Sequence, residues 1–196
     1  MKIKICGLKR LEDIDYVNTF LPDYIGFVFA GKKRKISFQQ AKLLKQNLLA
    51  STKAVGVFVD EDMSHIVSLV NDHIIDMVQL HGHEDHQYIQ RLKQLIDVPI
   101  IKAIKVVDET SFNQRYDVDY YLLDNQVAGS GQCFDWSCIQ KLEKPVFLAG
   151  GINLDNIDEA LKQDVYALDI SSGVETNGFK DVKKIEEIVR RVRDER

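Results

Sequence analysis

The sequence is short of most features that would mark a specialised chain. Only three cysteines, Cys6, Cys133 and Cys138, occur in 196 residues. An odd count at irregular spacing argues against a disulfide scaffold and points to a reducing compartment. There is no surplus of positive charge, since the formal net charge is −4. The two densest basic runs, Lys32–Lys35 and Arg190–Arg193, are too short to track a phosphate backbone, so nucleic acid is not an expected partner. No apolar run approaches the roughly 18–20 residues of a membrane span. Lys2 and Lys4 interrupt the opening stretch where a secretory leader would be apolar. No segment rich in proline, glycine or serine divides the chain. These absences predict one cytoplasmic domain over residues 1–196, without membrane or nucleic acid among its partners.

What is present is an alternation. Short, near-continuous apolar runs occur at Ile3–Cys6, Tyr24–Phe29, Ala54–Val59, Met77–Leu80, Pro99–Val107, Tyr120–Asp124, Val146–Ala149 and Ala167–Ile170. Such runs suit parallel strands buried on both faces. Helical patterns lie between them. Ser37-Phe38-Gln39-Gln40 has capping-box form ahead of Ala41, Leu44 and Leu48. Met63, Ile66, Val67 and Val70 repeat at helical spacing, as do Tyr88, Leu92 and Leu95. Asn153 and Asp155 are each placed to cap a helix carrying Ile157, Ala160 and Leu161, and Val182, Ile185, Ile188, Val189 and Val192 stripe the last helix. Asp108 to Asp119 is the weakest helical stretch.

Eight strand–helix units predict an α/β fold, a compact (β/α)₈ TIM barrel with a short or missing helix after strand 5. A doubly wound open sheet is the alternative, although the first turn lacks the G-x-G-x-x-G of a dinucleotide site. In a barrel the chemistry sits where strands end. Here the strand ends carry Cys6-Gly7, Arg34 beyond Phe29, Gln79-Leu80-His81-Gly82, Asp124, Gly150-Gly151 and Ser171-Ser172-Gly173. Glycine-rich loops after strands 7 and 8 let backbone amides approach an anion, and these are the recurrent phosphate loops of this architecture.

These residues resemble phosphoribosylanthranilate isomerase, a family of tryptophan biosynthesis. The shared blocks run the length of the chain: Lys4-Ile5-Cys6-Gly7-Leu8, Gly26-Phe27-Val28-Phe29 with Arg34 and Ser37, Val55-Gly56-Val57-Phe58-Val59, and Val78-Gln79-Leu80-His81-Gly82. They continue through Leu123-Asp124, Gly129-Ser130-Gly131 with Phe134-Asp135-Trp136, Leu148-Ala149-Gly150-Gly151-Ile152, and Asp169 to Glu175, closing on Gly178, Lys180 and Asp181. Each block alone is weak; their order and spacing are specific.

The resemblance implies an Amadori rearrangement of a small phosphosugar, without cofactor or metal, by a monomer or homodimer. It implies Cys6 as general base, Asp124 as general acid, Arg34 on the anthranilate carboxylate, and Gly150, Gly151, Ser172 and Gly173 around the phosphate. Where the family commonly has Ser-Pro-Arg, this chain has Lys32-Lys33-Arg34.

Blander readings exist for each group. A cysteine in an apolar strand is ordinarily an inert packing residue, and a strand-end aspartate often caps a loop. Strand alternation places Lys4 on the face of Cys6, where an ammonium would lower the thiol pKa. Asp169 reads as structural. His81, His83 and His86 have the spacing of a metal cluster, but His83 and His86 fit an ordinary solvated helix start, and His81 faces the strand end. Competing functions are another phosphosugar barrel enzyme, a non-catalytic phosphate-binding module, and a metal hydrolase built on the three histidines.

Overall fold

The structure, a computed structural model, describes residues 1–113, 115–125, 136, 139 and 142–194. Eight parallel strands close into a barrel in chain order. They are β1 (Lys2–Cys6), β2 (Tyr24–Val28), β3 (Lys53–Phe58), β4 (Met77–Leu80), β5 (Ile100–Val106), β6 (Tyr120–Asn125), β7 (Val146–Leu148) and β8 (Ala167–Ile170). The closed form, not the open sheet, is therefore correct. Closure occurs where β8 pairs with β1, with Lys4 opposite Asp169.

Period-two alternation sorts each strand into two faces. Tyr24, Val55, Met77, Ile101, Ala103, Leu122, Phe147, Ala149 and Ala167 point inward and form one apolar cluster. Tyr24, Tyr120, Phe147 and Tyr166 close its floor through tilted and edge-on ring contacts of 5.3–6.5 Å. The outward faces join the helices in a second, larger core.

Among the described residues six α-helices surround the barrel: α1 (Leu11–Phe20), α2 (Phe38–Asn47), α3 (Met63–Asn71), α4 (His86–Lys93), α5 (Ile157–Ala160) and α6 (Val182–Asp194). After β5 the described residues hold only a 3₁₀ turn, Glu109–Asn113, as expected for that connection. In α6, Ile185, Ile188, Val189 and Val192 are fully buried, each worth about 1.5–3 kcal/mol against the barrel. Val182, at the edge of this stripe, is exposed.

Several local details differ from the sequence pattern. Helix α1 follows a cap signal the sequence pattern did not announce. Buried Asp13 accepts from the N–H groups of Lys9 and Arg10, and Arg10 donates back to its other oxygen. In the Ser37 box only half is made: Ser37 accepts from the Gln40 N–H, while the Gln40 amide donates to the Lys9 carbonyl. The N-cap position of α5 is Asn156, not Asn153 or Asp155, and the side chains of Asn153 and Asn156 are used to close the preceding turn. Leu95 lies beyond α4 and is exposed; Ile89 and Leu92 carry that helix's contact instead. A small hairpin, β9 (Glu175–Thr176) with β10 (Phe179–Lys180), turns on Asn177-Gly178 after β8. No helix among the described residues is long and apolar enough to cross a membrane. The readings placed on Cys133, Cys138, Gly129-Ser130-Gly131 and Phe134-Asp135 lie outside the described residues.

Candidate active site

At the C-terminal end of the barrel the inward positions change from apolar to polar and enclose a cavity of about 350 Å³. Its wall includes Cys6 from β1, Arg34 from the loop after β2, Asp124 from β6, Gly150 and Gly151 after β7, and Ser172 after β8. Six of the seven sequence-derived site residues thus share one cavity. Gly173 does not line it. Gly173 stands behind Ser172, where any Cβ would collide with the Ile152 carbonyl, so it lets the two loops after β7 and β8 pack closely.

Cys6 is buried beside two cations and one anion. Burial pushes its thiol above the ordinary range; Lys4 pulls it down, Asp169 pushes it up and Lys180 pulls it down. The net shift is upward, opposite to what the proximity of Lys4 alone predicts, because desolvating the thiolate outweighs the nearby ammonium. Lys4 is wholly buried and donates to Asp169 Oδ2 at 2.7 Å and to Gln79 Oε1 at 2.8 Å. Burial works against its charge, but Asp169 and Cys6 outweigh that and hold the ammonium above its ordinary value. Asp169 Oδ1 is buried and, among the described residues, has no hydrogen-bond partner.

Asp124 is fixed at both oxygens. Oδ1 accepts from the Asn125 N–H at 2.8 Å, and Oδ2 lies 3.1 Å from His81 Nε2. Gly150 packs against this carboxyl: a Cβ there would sit 3.0 Å from Asp124 Oδ1 and from the Asn125 N, tight enough to displace them by a few tenths of an ångström. Gly150 and Gly151 have φ of +86° and +73°, a left-handed pair that only glycine adopts without strain. Among the described residues their N–H groups make no hydrogen bond, so both remain available to an anion.

Arg34 is already engaged. Its Nε and Nη2 donate to the two oxygens of Glu175 at 2.7 Å each. Lys180 adds a third bond to Glu175 at 2.8 Å and donates to the Ser171 carbonyl. Burial opposes ionisation of Glu175, yet Arg34 and Lys180 outweigh it and hold its carboxyl down at about 2. The pair holds the guanidinium in the cavity wall and leaves Nη1 unbonded among the described residues. Lys32 and Lys33 line the same side, giving this wall a surplus of positive charge.

Sequence reasoning missed Glu175 as the partner of Arg34, Lys180 as the second cation on Glu175, and Gln79 as a buried bridge. The only advance signal was their presence within the quoted blocks. The three histidines diverge. His81 is in the cavity, His83 bonds Asp60 outside it, and His86 stacks on Tyr116 with centroids 4.7 Å apart. No group of three or more His, Cys, Asp or Glu among the described residues is placed to hold a metal ion.

Comparison with known proteins follows the same lines. The family described as N-(5'phosphoribosyl)anthranilate (PRA) isomerase matches residues 3–191. An N-(5'-phosphoribosyl)anthranilate isomerase of Endomicrobium trichonymphae is 49% identical over 197 residues, covering 98% of each chain. The crystal structure of phosphoribosyl anthranilate isomerase from Thermus thermophilus superposes with a TM-score of 0.89 at 30% identity, covering 100% of both chains. A second isomerase structure, in complex with reduced 1-(o-carboxyphenylamino)-1-deoxyribulose 5-phosphate, gives 0.82 at 30% identity, covering 99% of each chain.

Proposed function

Because the chain belongs to the N-(5'-phosphoribosyl)anthranilate isomerase family, we propose that Cys6 and Asp124 perform that family's chemistry as base and acid. The protein is an isomerase of tryptophan biosynthesis. It converts N-(5-phosphoribosyl)anthranilate to 1-(2-carboxyphenylamino)-1-deoxyribulose 5-phosphate. The observation that carries the residue assignment is the shared cavity: a thiol and a carboxyl on β1 and β6, between a cationic wall and two open glycine amides.

The substrate's C1′ bears both the anthranilate nitrogen and the ring oxygen. Opening the ring places charge on that oxygen, and Asp124 supplies the proton. The resulting iminium acidifies the C2′ proton, which the Cys6 thiolate removes to give the enolamine. The enolamine then tautomerises to the ketone. Cys6 acts by proton transfer and forms no covalent bond to the sugar. Its elevated pKa keeps most of the free enzyme in the thiol form at neutral pH, while making the thiolate a stronger base toward carbon. Arg34 and its lysine neighbours receive the anthranilate carboxylate. Gly150, Gly151 and Ser172 receive the phosphate, with Gly173 holding the second loop in place. One barrel domain carries all of these groups.

The test is a coupled assay. Anthranilate, phosphoribosyl pyrophosphate and the transferase generate the labile fluorescent substrate in place, and this protein removes it. Folded Cys6→Ala and Asp124→Asn should each lose about 10²–10⁴-fold in kcat. Near wild-type kcat in both variants would overturn the assignment.

A further inference from the structure

A continuous chain of polar side chains runs from buried Lys4 on β1 along the cavity wall to Asp124 on β6. Lys4 Nζ donates to Gln79 Oε1, Gln79 Nε2 lies 2.9 Å from His81 Nδ1, and His81 Nε2 lies 3.1 Å from Asp124 Oδ2. Lys4 and Gln79 are almost completely buried, so water cannot substitute for either partner. We infer that Lys4 and Gln79 are positioning residues that fix the ring proton of His81 on Nε2, so that His81 presents a neutral N–H to the carboxyl of Asp124. The inference rests on the acid role proposed above for Asp124.

The argument is one of donor and acceptor order. An ammonium only donates, so Lys4 selects the amide oxygen of Gln79 and turns its NH₂ toward His81. That NH₂ only donates, so Nδ1 must accept and carry no proton. The ring proton is then on Nε2, facing Asp124. An imidazolium would set an Nδ1–H against the Gln79 NH₂, two donors face to face. Lys4 itself is held by Asp169, and its charge acts on the neighbouring Cys6 thiol. One buried ammonium thus acts on the base through its charge and orders the hydrogen bond of the acid.

The order matters for ring opening. An imidazolium beside Asp124 would form an ion pair and hold the carboxyl ionised, wrong for a proton donor. A neutral Nε2–H orients the carboxyl through one lone pair of Oδ2. A second lone pair on each oxygen stays free to carry the proton given to the sugar.

Gln79→Glu tests this. The new carboxylate keeps a partner for Lys4 but accepts from His81, drawing a proton onto Nδ1. The readouts are ¹⁵N NMR of histidine-labelled protein, with His81 assigned by a His81→Asn variant, and steady-state kinetics. Wild type should show His81 protonated on Nε2 alone at pH 7.5, and Gln79→Glu should show Nδ1 protonated. The variant's kcat should fall on the order of ten- to a hundredfold, the range for losing the outer partner of a functional histidine. Its KM and its affinity for inorganic phosphate should stay within about twofold, which a general structural loss would not allow. A wild-type spectrum with Nδ1–H or imidazolium overturns the inference even if the variant fails to fold. So does a Gln79→Glu protein with shifted tautomer and unchanged kcat. Absence of turnover in wild type would instead sink the functional reading, leaving the tautomer to the spectrum.

Discussion

Gly26 offers a direct test of how closely the Cys6 thiol is held. The residue pairs with Cys6 across the β1–β2 ladder, and its Cα is where an alanine methyl would enter the barrel. A Cβ built there would sit 2.5 Å from Cys6 Sγ, 3.1 Å from its Cα and 3.2 Å from its Cβ. Sulfur therefore falls about 1 Å short of ordinary contact. Turning the thiol away relieves only the first of these contacts; the other two need the strands to part. They are held there by the Gly7 and Leu8 N–H groups, both bonded to the Gly26 carbonyl at 2.9 and 3.2 Å. Overpacking of this kind costs about 1–3 kcal/mol, or roughly 2–12 °C in Tm for a chain of this size. The catalytic cost is larger, because a displacement of about 1 Å from the productive geometry loses on the order of 10²-fold. Gly26→Ala should thus be folded, modestly destabilised and deficient in kcat. Its KM should change less than its kcat, since the glycines proposed to hold the phosphate lie after β7 and Arg34 is anchored on Glu175 rather than on Gly26. The fluorescence assay gives kcat and KM, and thermal denaturation gives stability. A folded Gly26→Ala protein with kcat within about threefold of wild type would refute this reasoning.

Other perturbations follow from the buried charges. Glu175 ionises near 2 in the folded protein against an ordinary 4.5, so its contribution is full above the ordinary value and is lost as pH falls from about 4.5 toward 2. The Tm difference between wild type and Glu175→Gln should accordingly be constant near neutrality and shrink over that acidic window; a pH-independent difference would contradict the Arg34–Glu175–Lys180 account. Lys102 and Glu84 form a pair with side chains only 3% and 1% exposed, and Glu84 also accepts from the N–H groups of Asp60 and Gly82. Lys102→Met strands that carboxylate and should cost about 3–5 kcal/mol, lowering Tm by roughly 6–20 °C; a loss under about 3 °C would show that Glu84 is satisfied without Lys102.

The strands and their ends were legible in the chain because their causes are local. Apolar runs of four to nine residues mark buried parallel strands, and the polar residue or glycine that stops each run marks the mouth of the barrel. Cys6, Asp124, Gly150 and Gly151 are conspicuous for that reason, and the family resemblance supplied roles that spacing alone left open. Closure of the sheet and the partners of those residues are different in kind. Lys4 meets Gln79 and Asp169 across 75 and 165 positions, and Arg34 meets Glu175 across 141. No local pattern encodes such pairings; they exist only once β8 lies beside β1 and fixes which inward side chains share a layer. The Cys6 thiol shows the consequence. Sequence places an ammonium on its face and predicts a lowered pKa, but burial on all sides, a quantity only the assembled barrel sets, drives the pKa upward.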